Sequence, residues 1–364
     1  MEKQIAHRFY ADSLEQVLDY VDVIGDDCRK DDVFRPMWFR GQEYTYYNLE
    51  PNIFRKAEYH YNDLERYGNN HLRENYRYQH FMSRIFDKTD YREPQSVFEW
   101  QEIMQHFLSK TRLMDWSESL FTALEFALEA FLIPYRDQEI TQKRHKLQPS
   151  LWILRPDELN RNVYKSFVQD DFPVIERVLW DMDKSDRKCI GEELRDHEDI
   201  YFSLAAKEDQ NFNFIASLTA LENVRKNYIG REKEALKGME MNPFFYLLLR
   251  IYTDGVPVDY GTVPPLAIIH PYHSQRIKSQ KGVFTVFPHY IPRKQEMELA
   301  ELKIGFAPIA MEYMASCREC LYEIQLTNPR KIAAQMRRMG FKNSDLYPDT
   351  ERVVRDMENM DFSI

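Results

Sequence analysis

The chain has 364 residues, of which 43% are hydrophobic and 30% are charged, a composition typical of folded globular proteins and not of disordered ones. Lysine and arginine total 49 and aspartate and glutamate total 59, so the formal net charge is −10. Proteins that hold duplex DNA by its phosphates usually carry a basic surplus. The acidic balance therefore argues against duplex DNA as a partner.

Several further classes of protein are disfavoured by patterns that the sequence lacks. The chain has 11 glycines and contains neither G-x-x-x-x-G-K-S/T nor G-x-G-x-x-G, the patterns of glycine-rich phosphate loops. The first ten residues, MEKQIAHRFY, lack the apolar stretch of a signal peptide. No apolar run approaches the length of about 20 residues that spans a bilayer, and four cysteines are too few for a disulfide framework in a chain of this length. We therefore expect a cytoplasmic protein without membrane contact.

Apolar periodicity and turn residues predict helices and strands that alternate along the chain. Helices are expected at 12–24, 63–87, 95–108 and 117–132, through most of 155–260, and at 328–339 and 349–360. Strands are expected at 37–42, 150–154, 266–270, 282–288 and 320–326, and residues 110–116 are expected to be irregular or strand-like. Short strands separated by helices predict an α+β fold, in which a mixed or antiparallel sheet of five or six strands is surrounded by helices.

The same pattern predicts how the chain is divided. Residues 1–30 are expected to form an N-terminal helix, residues 31–350 the main domain, and residues 351–364 the end of a C-terminal helix. Within the main domain, residues 155–262 are mostly helical and are expected to be an insertion.

The first unusual feature is an arginine within the apolar strand Trp38-Phe39-Arg40-Gly41-Gln42. A guanidinium near an apolar layer needs either an acidic partner or a bound anion. Asp115 is the acidic partner that we expect if Arg40 serves the core. Gly41 would let backbone approach a ligand if Arg40 serves a site.

The second feature is a cluster of polar side chains at 110–117, between two predicted helices. It runs into a helix N-terminus, where free N–H groups favour an anion. Asp115 and Ser117 can alternatively cap that helix. His106, at the end of the preceding helix, is either a proton shuttle or a structural histidine. The polar residues are Thr111, Arg112, Asp115 and Ser117, and they are flanked by Leu113, Met114 and Trp116.

The third feature is the segment 270–284, which begins with His270, Pro271 and Tyr272. Arg276 and Gln280 are four residues apart and therefore share one face of a helix. This face is either part of a site or the solvated side of an ordinary amphipathic helix.

The cysteines offer no metal site. Cys317 and Cys320 form a C-x-x-C pair, and no second pair or H-x-x-x-H partner is present. Because a zinc site needs four ligands, we expect no bound metal.

Taken together, the three features resemble the FRG domain family, which is named for a Phe-Arg-Gly motif seen here at residues 39–41. The resemblance spans roughly residues 36–350. Leu108 and Lys110 stand where the family has Gly and Pro, and Ser117 replaces a Thr. The second motif of the family is matched at Gln105, His106, Thr111, Arg112, Leu113, Asp115, Trp116, Ala123, Leu124, Phe126 and Ala127, and the third at Pro271, Arg276, Gln280, Gly282 and Phe284.

More distantly, the chain resembles the ADP-ribosyltransferases. Those enzymes open with a strand bearing aromatic-Arg-Gly whose arginine holds NAD, continue with a strand bearing Ser or Thr, and end with an acidic or Gln-bearing element. The resemblance implies Arg40 in the first role, Thr111 or Ser117 in the second, and Gln280 or Glu323 in the third.

The first hypothesis is an enzyme that acts on NAD or another nucleotide, by ADP-ribosyl transfer or NAD hydrolysis, with NAD as substrate and no cofactor required. Arginines would hold phosphate groups, an aromatic ring would stack on the base, and polar groups would stabilise an oxocarbenium-like transition state. The expected setting is bacterial defence against phage, or a toxin. The candidate catalytic residues are Arg40, His106, Asp115 and Gln280, and the candidate substrate-binding residues are Gln42, Thr111, Arg112, Trp116, Ser117, Tyr272 and Arg276.

Two alternatives stay open. In the first, Arg40 and Asp115 belong to a structural polar network, in a non-catalytic module that senses a ligand or binds a protein partner. In the second, the chain is an enzyme that processes nucleic acid.

Overall fold

The fold was analysed in a computed structural model, which describes most of the chain. No helix within the described ranges combines the length and the apolar character needed to cross a bilayer. The described residues are 7–27, 36–55, 70–85, 97–107, 110–132, 147–169, 171–205, 231–237, 241–259, 261–269, 275–291 and 310–341, with 221, 225 and 227.

A mixed, open sheet of seven strands forms the centre of the described structure, in the order β1-β9-β4-β2-β3-β7-β6. Strand β1 pairs with β9 in parallel, and the other neighbours in this sheet are antiparallel. Strands β5 and β8 form a separate parallel pair. The strands are β1 His7–Ala11, β2 Trp38–Gln42, β3 Leu113–Ser117, β4 Ser150–Leu154, β5 Val258–Asp259, β6 Leu266–Ile268, β7 Gly282–Val286, β8 Tyr290–Ile291 and β9 Leu321–Leu326.

Helices pack on both faces of the sheet, and neighbouring residues of β2 belong to two different apolar clusters. Trp38 of β2 packs with Trp152 in one apolar cluster, which includes the helical block after β4. Phe39 packs into a second cluster with Leu124 and with Ile332 near the C-terminal end. The helices are α1 Leu14–Asp27, α2 Asn70–Ile85, α3 Val97–His106, α4 Leu120–Leu132, α5 Pro156–Phe167, α6 Pro173–Val178, α7 Lys184–Asp196, α8 Glu198–Ala205, α9 Glu232–Lys237, α10 Pro243–Leu248, α11 Gln275–Ser279 and α12 Pro329–Arg338.

The predicted α+β class is confirmed, and the sheet is larger than expected. The additional strand is β1, whose alternating residues are largely exposed because it lies at the edge of the sheet. The segment predicted as a helix from 117 begins its helix at Leu120, because residues 113–117 pair along their whole length with β7. The predicted helix at 349–360 and most of residues 206–230, within the block expected to be mostly helical, lie outside the described residues.

The sheet is split between β2 and β3. These two strands share a single residue pair, Phe39 with Ser117, whereas β2 pairs with β4 and β3 with β7 through five residue pairs each. Two fully paired halves of the sheet therefore separate beyond Phe39, and the space between them is the place where a site can form.

Candidate functional site

A pocket of about 350 Å³ lies at the split between β2 and β3. The three unusual sequence features, which are separated by up to about 240 residues along the chain, all contribute to its walls. The pocket is lined by Phe39, Arg40, Gly41, Asn52, Glu102, Gln105, Asp115, Trp116, Ser117, Ala123, Phe126, Arg276, Ile277, Gln280, Gly282 and Phe284.

Arg40 projects from β2 across the split, and its side chain is 17% exposed. Its Nη1 donates a hydrogen bond to the backbone carbonyl of Asp115, while the nearest Asp115 carboxylate oxygen is 4.0 Å from Nη1. Its Nε is buried and has no hydrogen-bond partner among the described residues. Burial and, to a smaller degree, the charge of Arg55 lower the pKa of Arg40 to about 10, although the charge of Asp115 opposes them. A guanidinium whose charge is only partly balanced is well suited to bind an anion.

Asp115 is oriented by its neighbour on helix α3. The side-chain amide of Gln105 donates to Asp115 Oδ1, and Gln105 Oε1 accepts from the Thr111 hydroxyl at 2.7 Å. Thr111 is fully buried and lies behind the pocket, where it fixes Gln105. The carboxylate of Asp115 remains 59% exposed, so it is held in place and accessible to a ligand.

Ser117 joins the third motif to the rest of the site. Its hydroxyl donates to the backbone carbonyl of Gln280 at 2.7 Å and accepts from the backbone N–H of Ser119 at 2.9 Å. Ser119 in turn accepts from Thr122 N at 3.3 Å, so Ser119, and not Ser117, caps helix α4. Ser117 therefore positions Gln280, which lines the pocket.

The remaining walls are mainly apolar and aromatic. Phe39, Phe126 and Phe284 line the pocket. Trp116 lines it as well, but it is buried and its indole N–H donates to the Thr285 hydroxyl at 3.1 Å. Arg276 on helix α11 is exposed at the rim. The site thus combines aromatic surfaces with charged groups of both signs.

Arg112 does not line the pocket and is almost completely buried behind it. Its guanidinium forms an ion pair with Glu74 and donates to the carbonyl oxygens of Phe287 and Tyr252 at 2.7 and 3.0 Å. The Tyr252 carbonyl belongs to a π-helical turn, Leu249–Thr253. Arg112 therefore joins the helical block to the sheet, in a position where a phosphate would have to displace Glu74.

Other predicted site residues fall in different places. Gln42 is buried on β2 and its Oε1 accepts from the Trp152 indole N–H at 2.9 Å, away from the pocket. Glu323 is buried on β9 and forms an ion pair with Arg8 at 2.7 Å. Of the two residues that the resemblance to ADP-ribosyltransferases implies for the third role, Gln280 lines the pocket and Glu323 does not. Tyr272 and the side chain of His106 lie outside the described residues, and their roles stay predictions.

Two pocket residues were missed by the sequence analysis. Glu102 is 2% exposed and lines the pocket three residues before Gln105, on the same face of helix α3. Helical spacing from the Gln-His motif was a signal that could have found it. Asn52 follows Pro51 in a turn between β2 and α2, and no pattern in the sequence singles it out.

The described residues contain no group of three or more His, Cys, Asp or Glu side chains that could hold a metal ion. Cys317 and Cys320 are both buried, and the Cys320 thiol donates to the Cys317 carbonyl at 3.3 Å. Burial raises the pKa of both thiols. They therefore serve as small core residues and not as reactive thiolates.

The fold and the pocket define an α+β protein with a polar site in a split sheet. The family model of the FRG domain matches residues 35–132, so this part of the chain is similar to FRG domains. The match runs from just before β2 to the end of α4 and includes Arg40 and Asp115, while the segment with Gln280 lies beyond it. No curated protein and no solved structure matches the chain.

Proposed function

We propose that this FRG-domain chain is an enzyme that acts on NAD or another nucleotide, as an ADP-ribosyltransferase or an NAD glycohydrolase. The observation that supports the proposal is the meeting of the three motifs at one pocket, where Arg40, Ser117 and Gln280 come from neighbouring elements. These are the three roles, in the same chain order, that the resemblance to ADP-ribosyltransferases implies. A volume of about 350 Å³ also lies within the range of small-molecule sites.

Each wall of the pocket has a chemical role in this proposal. Arg40 holds a phosphate of the substrate, because a guanidinium fork matches an oxyanion. Phe39 and Phe126 provide an apolar surface for the nicotinamide ring. Gln280 hydrogen-bonds the ribose that carries it.

The reaction breaks the bond between the ribose carbon and the nicotinamide nitrogen. The bonding electron pair leaves with nicotinamide, which becomes neutral, and positive charge develops on the ribose. Carboxylates held in place beforehand stabilise such a charge, and Asp115 and Glu102 supply them here. Water or an acceptor group then bonds to the ribose carbon and loses a proton to solvent through one of these carboxylates.

The experiment incubates the purified chain with NAD and measures released nicotinamide by chromatography and added mass on protein or nucleic acid by mass spectrometry. Arg40→Ala and Gln280→Ala are compared with Arg330→Ala, which removes an exposed cation from helix α12, away from the pocket. We expect turnover in the wild type and in Arg330→Ala, and a loss of at least 100-fold in the two pocket variants. Circular dichroism checks that each variant is folded.

No nicotinamide release, together with no thermal shift on adding any nucleotide, would overturn the proposal. Release that is unchanged in folded Arg40→Ala would place the chemistry elsewhere. If activity is found, depletion of cellular NAD would connect it to defence against phage or to toxicity. Expressing the chain in a bacterial host and measuring the NAD concentration over time tests that setting.

One observation favours the second candidate function, a non-catalytic module that senses a ligand or binds a protein partner. Arg40, Asp115, Gln105 and Thr111 form a continuous chain of hydrogen bonds from β2 to helix α3. Such a network can hold the two halves of the sheet together without any chemistry. Unfolding of Arg40→Ala would support this candidate, whereas a folded variant that has lost nucleotide binding would support the enzyme.

A further inference from the structure

A second, smaller cavity of about 50 Å³ adjoins the main pocket on the side of residues 51–55. Arg40, Asn52 and Asp115 line both spaces, so one ligand can extend from the first into the second. What distinguishes the small cavity is a second guanidinium, that of Arg55. Its lining consists of Arg40, Pro51, Asn52, Arg55, Leu113, Met114 and Asp115.

Two arginines beside one small cavity repel each other, and the acidic groups of the described structure do not fully balance their positive charges. Arg55 Nε donates to the backbone carbonyl of Glu50 at 3.0 Å, and within the described part of the chain Arg55 forms no ion pair. The carboxylate of Asp115 is 4.0 Å from Arg40 and is also hydrogen-bonded by Gln105. Buried Arg40 Nε lacks a partner among the described residues. An anion between the two arginines would satisfy these donors and remove the repulsion.

The size of the cavity selects the kind of anion. A single water needs about 10–15 Å³ on the same measure, so a cavity of about 50 Å³ admits a group of a few heavy atoms and not a nucleoside. A phosphoryl group has this size, and arginine forks suit its oxygens. Asn52 adds an amide that can donate to the same oxygens.

We propose that Arg55 and Arg40 form an oxyanion subsite that takes a phosphoryl group of a phosphate-bearing ligand whose ring occupies the main pocket. The inference rests on the proposed function only for the identity of that ring. Arg55 takes the phosphate-binding role that the sequence analysis gave to Arg112, which is buried in an ion pair with Glu74.

The test measures binding of inorganic pyrophosphate to the full chain by calorimetry, which requires no turnover. Arg55→Ala removes the charge, Arg55→Lys keeps the charge but removes the planar fork, and Arg330→Ala controls for the loss of a cation elsewhere. We expect the affinity for pyrophosphate to fall at least 10-fold in Arg55→Ala, to fall severalfold in Arg55→Lys, and to stay unchanged in Arg330→Ala. Arg55 is exposed, so its replacement should leave the fold intact, and circular dichroism verifies this.

A second arm compares ADP with adenosine, which differ in the diphosphate. Under the proposal, wild type prefers ADP and Arg55→Ala loses most of that preference while its affinity for adenosine is unchanged. Pyrophosphate binding that depends on Arg55, without turnover of any nucleotide, would support the subsite and count against the proposed enzyme. Wild-type affinity for pyrophosphate in Arg55→Ala, or no binding by the wild type at millimolar concentration, would overturn the subsite even if NAD is turned over.

Discussion

Gly41 of strand β2 lies so close to helix α4 that a Cβ placed on it would be 1.8 Å from the carbonyl oxygen of Ala123. The same Cβ would be 2.6 Å from the backbone nitrogen of Ala127, one helical turn further. The glycine of the Phe-Arg-Gly motif and these two alanines therefore make one contact between strand and helix. This contact holds β2 against α4 at the place where β2 parts from β3, so Gly41 serves the packing of strand on helix, and it also lines the pocket.

The first prediction concerns Gly41→Ala. The added methyl group meets helix backbone, which cannot move aside as a flexible side chain can, so helix and strand must separate. We expect the free energy of unfolding to fall by about 1–3 kcal/mol, the range for overpacked cores. Urea unfolding followed by circular dichroism measures it.

Gly25→Ala provides the matched control. Gly25 lies within helix α1. A Cβ placed on it would be 3.5 Å from the methyl group of Met37, which is an ordinary van der Waals distance. Because alanine is favoured over glycine in a helix, this variant should gain about 0.5–1 kcal/mol. Equal stability of the wild type and Gly41→Ala would contradict the close contact.

The second prediction separates the structural role of Arg112 from ligand binding. Arg112→Met leaves the Glu74 carboxylate buried without its arginine and with His289 as its remaining ion-pair partner among the described residues; breaking a buried ion pair in this way typically costs about 3–5 kcal/mol. In a double-mutant cycle, Arg112→Met with Glu74→Leu should cost less than the sum of the two single variants, because neither charge is then left unpaired. An Arg112→Met chain with wild-type stability and lost nucleotide binding would instead return Arg112 to the phosphate-binding role.

The third prediction is a dependence of stability on pH that originates at Glu74. Burial raises the pKa of Glu74, but the charges and hydrogen bonds of Arg112 and His289 outweigh burial and lower the pKa from 4.5 to about 2. A carboxylate with a depressed pKa in the folded state stabilises fully above pH 4.5, and this stabilisation is lost as the pH falls from 4.5 to about 2. This lowering of the Glu74 pKa corresponds to about 3 kcal/mol of folding free energy.

Urea unfolding at several pH values between 6 and 2.5 tests this contribution. Because other carboxylates also titrate in this range, the informative quantity is the difference between the wild type and Glu74→Gln. That difference should be largest above pH 4.5 and should shrink toward pH 2.5. A difference that does not change with pH would show that Glu74 does not titrate in this window.

The fourth prediction concerns Ser117, which hydrogen-bonds the backbone of Gln280. Ser117→Ala removes this hydrogen bond and should lower the free energy of unfolding by about 1 kcal/mol. It should also weaken ligand binding, because Gln280 is no longer held in position. Ser119→Ala removes the cap of helix α4 at a similar cost and leaves the Gln280 contact in place. Calorimetric titration with the nucleotide that binds best should therefore separate the two variants, and equal affinities would contradict the positioning role.

Much of the fold follows from local patterns in the sequence. Strand β4 occupies the predicted residues 150–154, and β2 and β9 lie within one residue of prediction, because alternating or continuous apolar runs are a local property of the chain. Edge strand β1 was missed because few of its residues are buried.

The candidate site was predicted in part. Arg40, Asp115, Ser117 and Gln280 were singled out, since charged and polar residues among apolar neighbours are visible in the sequence, and all four line the pocket. Glu102 and Asn52 were not, because an isolated Glu on a helix or an Asn in a turn has many ordinary explanations.

The sequence by itself determined the α+β class and the motifs that carry unusual polar groups. Only the tertiary structure decided that Arg112 pairs with Glu74 while Arg40 lines the pocket. The partner of a buried charge depends on which helix packs over it, and the neighbours along the chain do not determine that. The split between β2 and β3 is likewise a product of pairing between distant segments. It is this split that brings Arg40, Asp115 and Gln280 to one space.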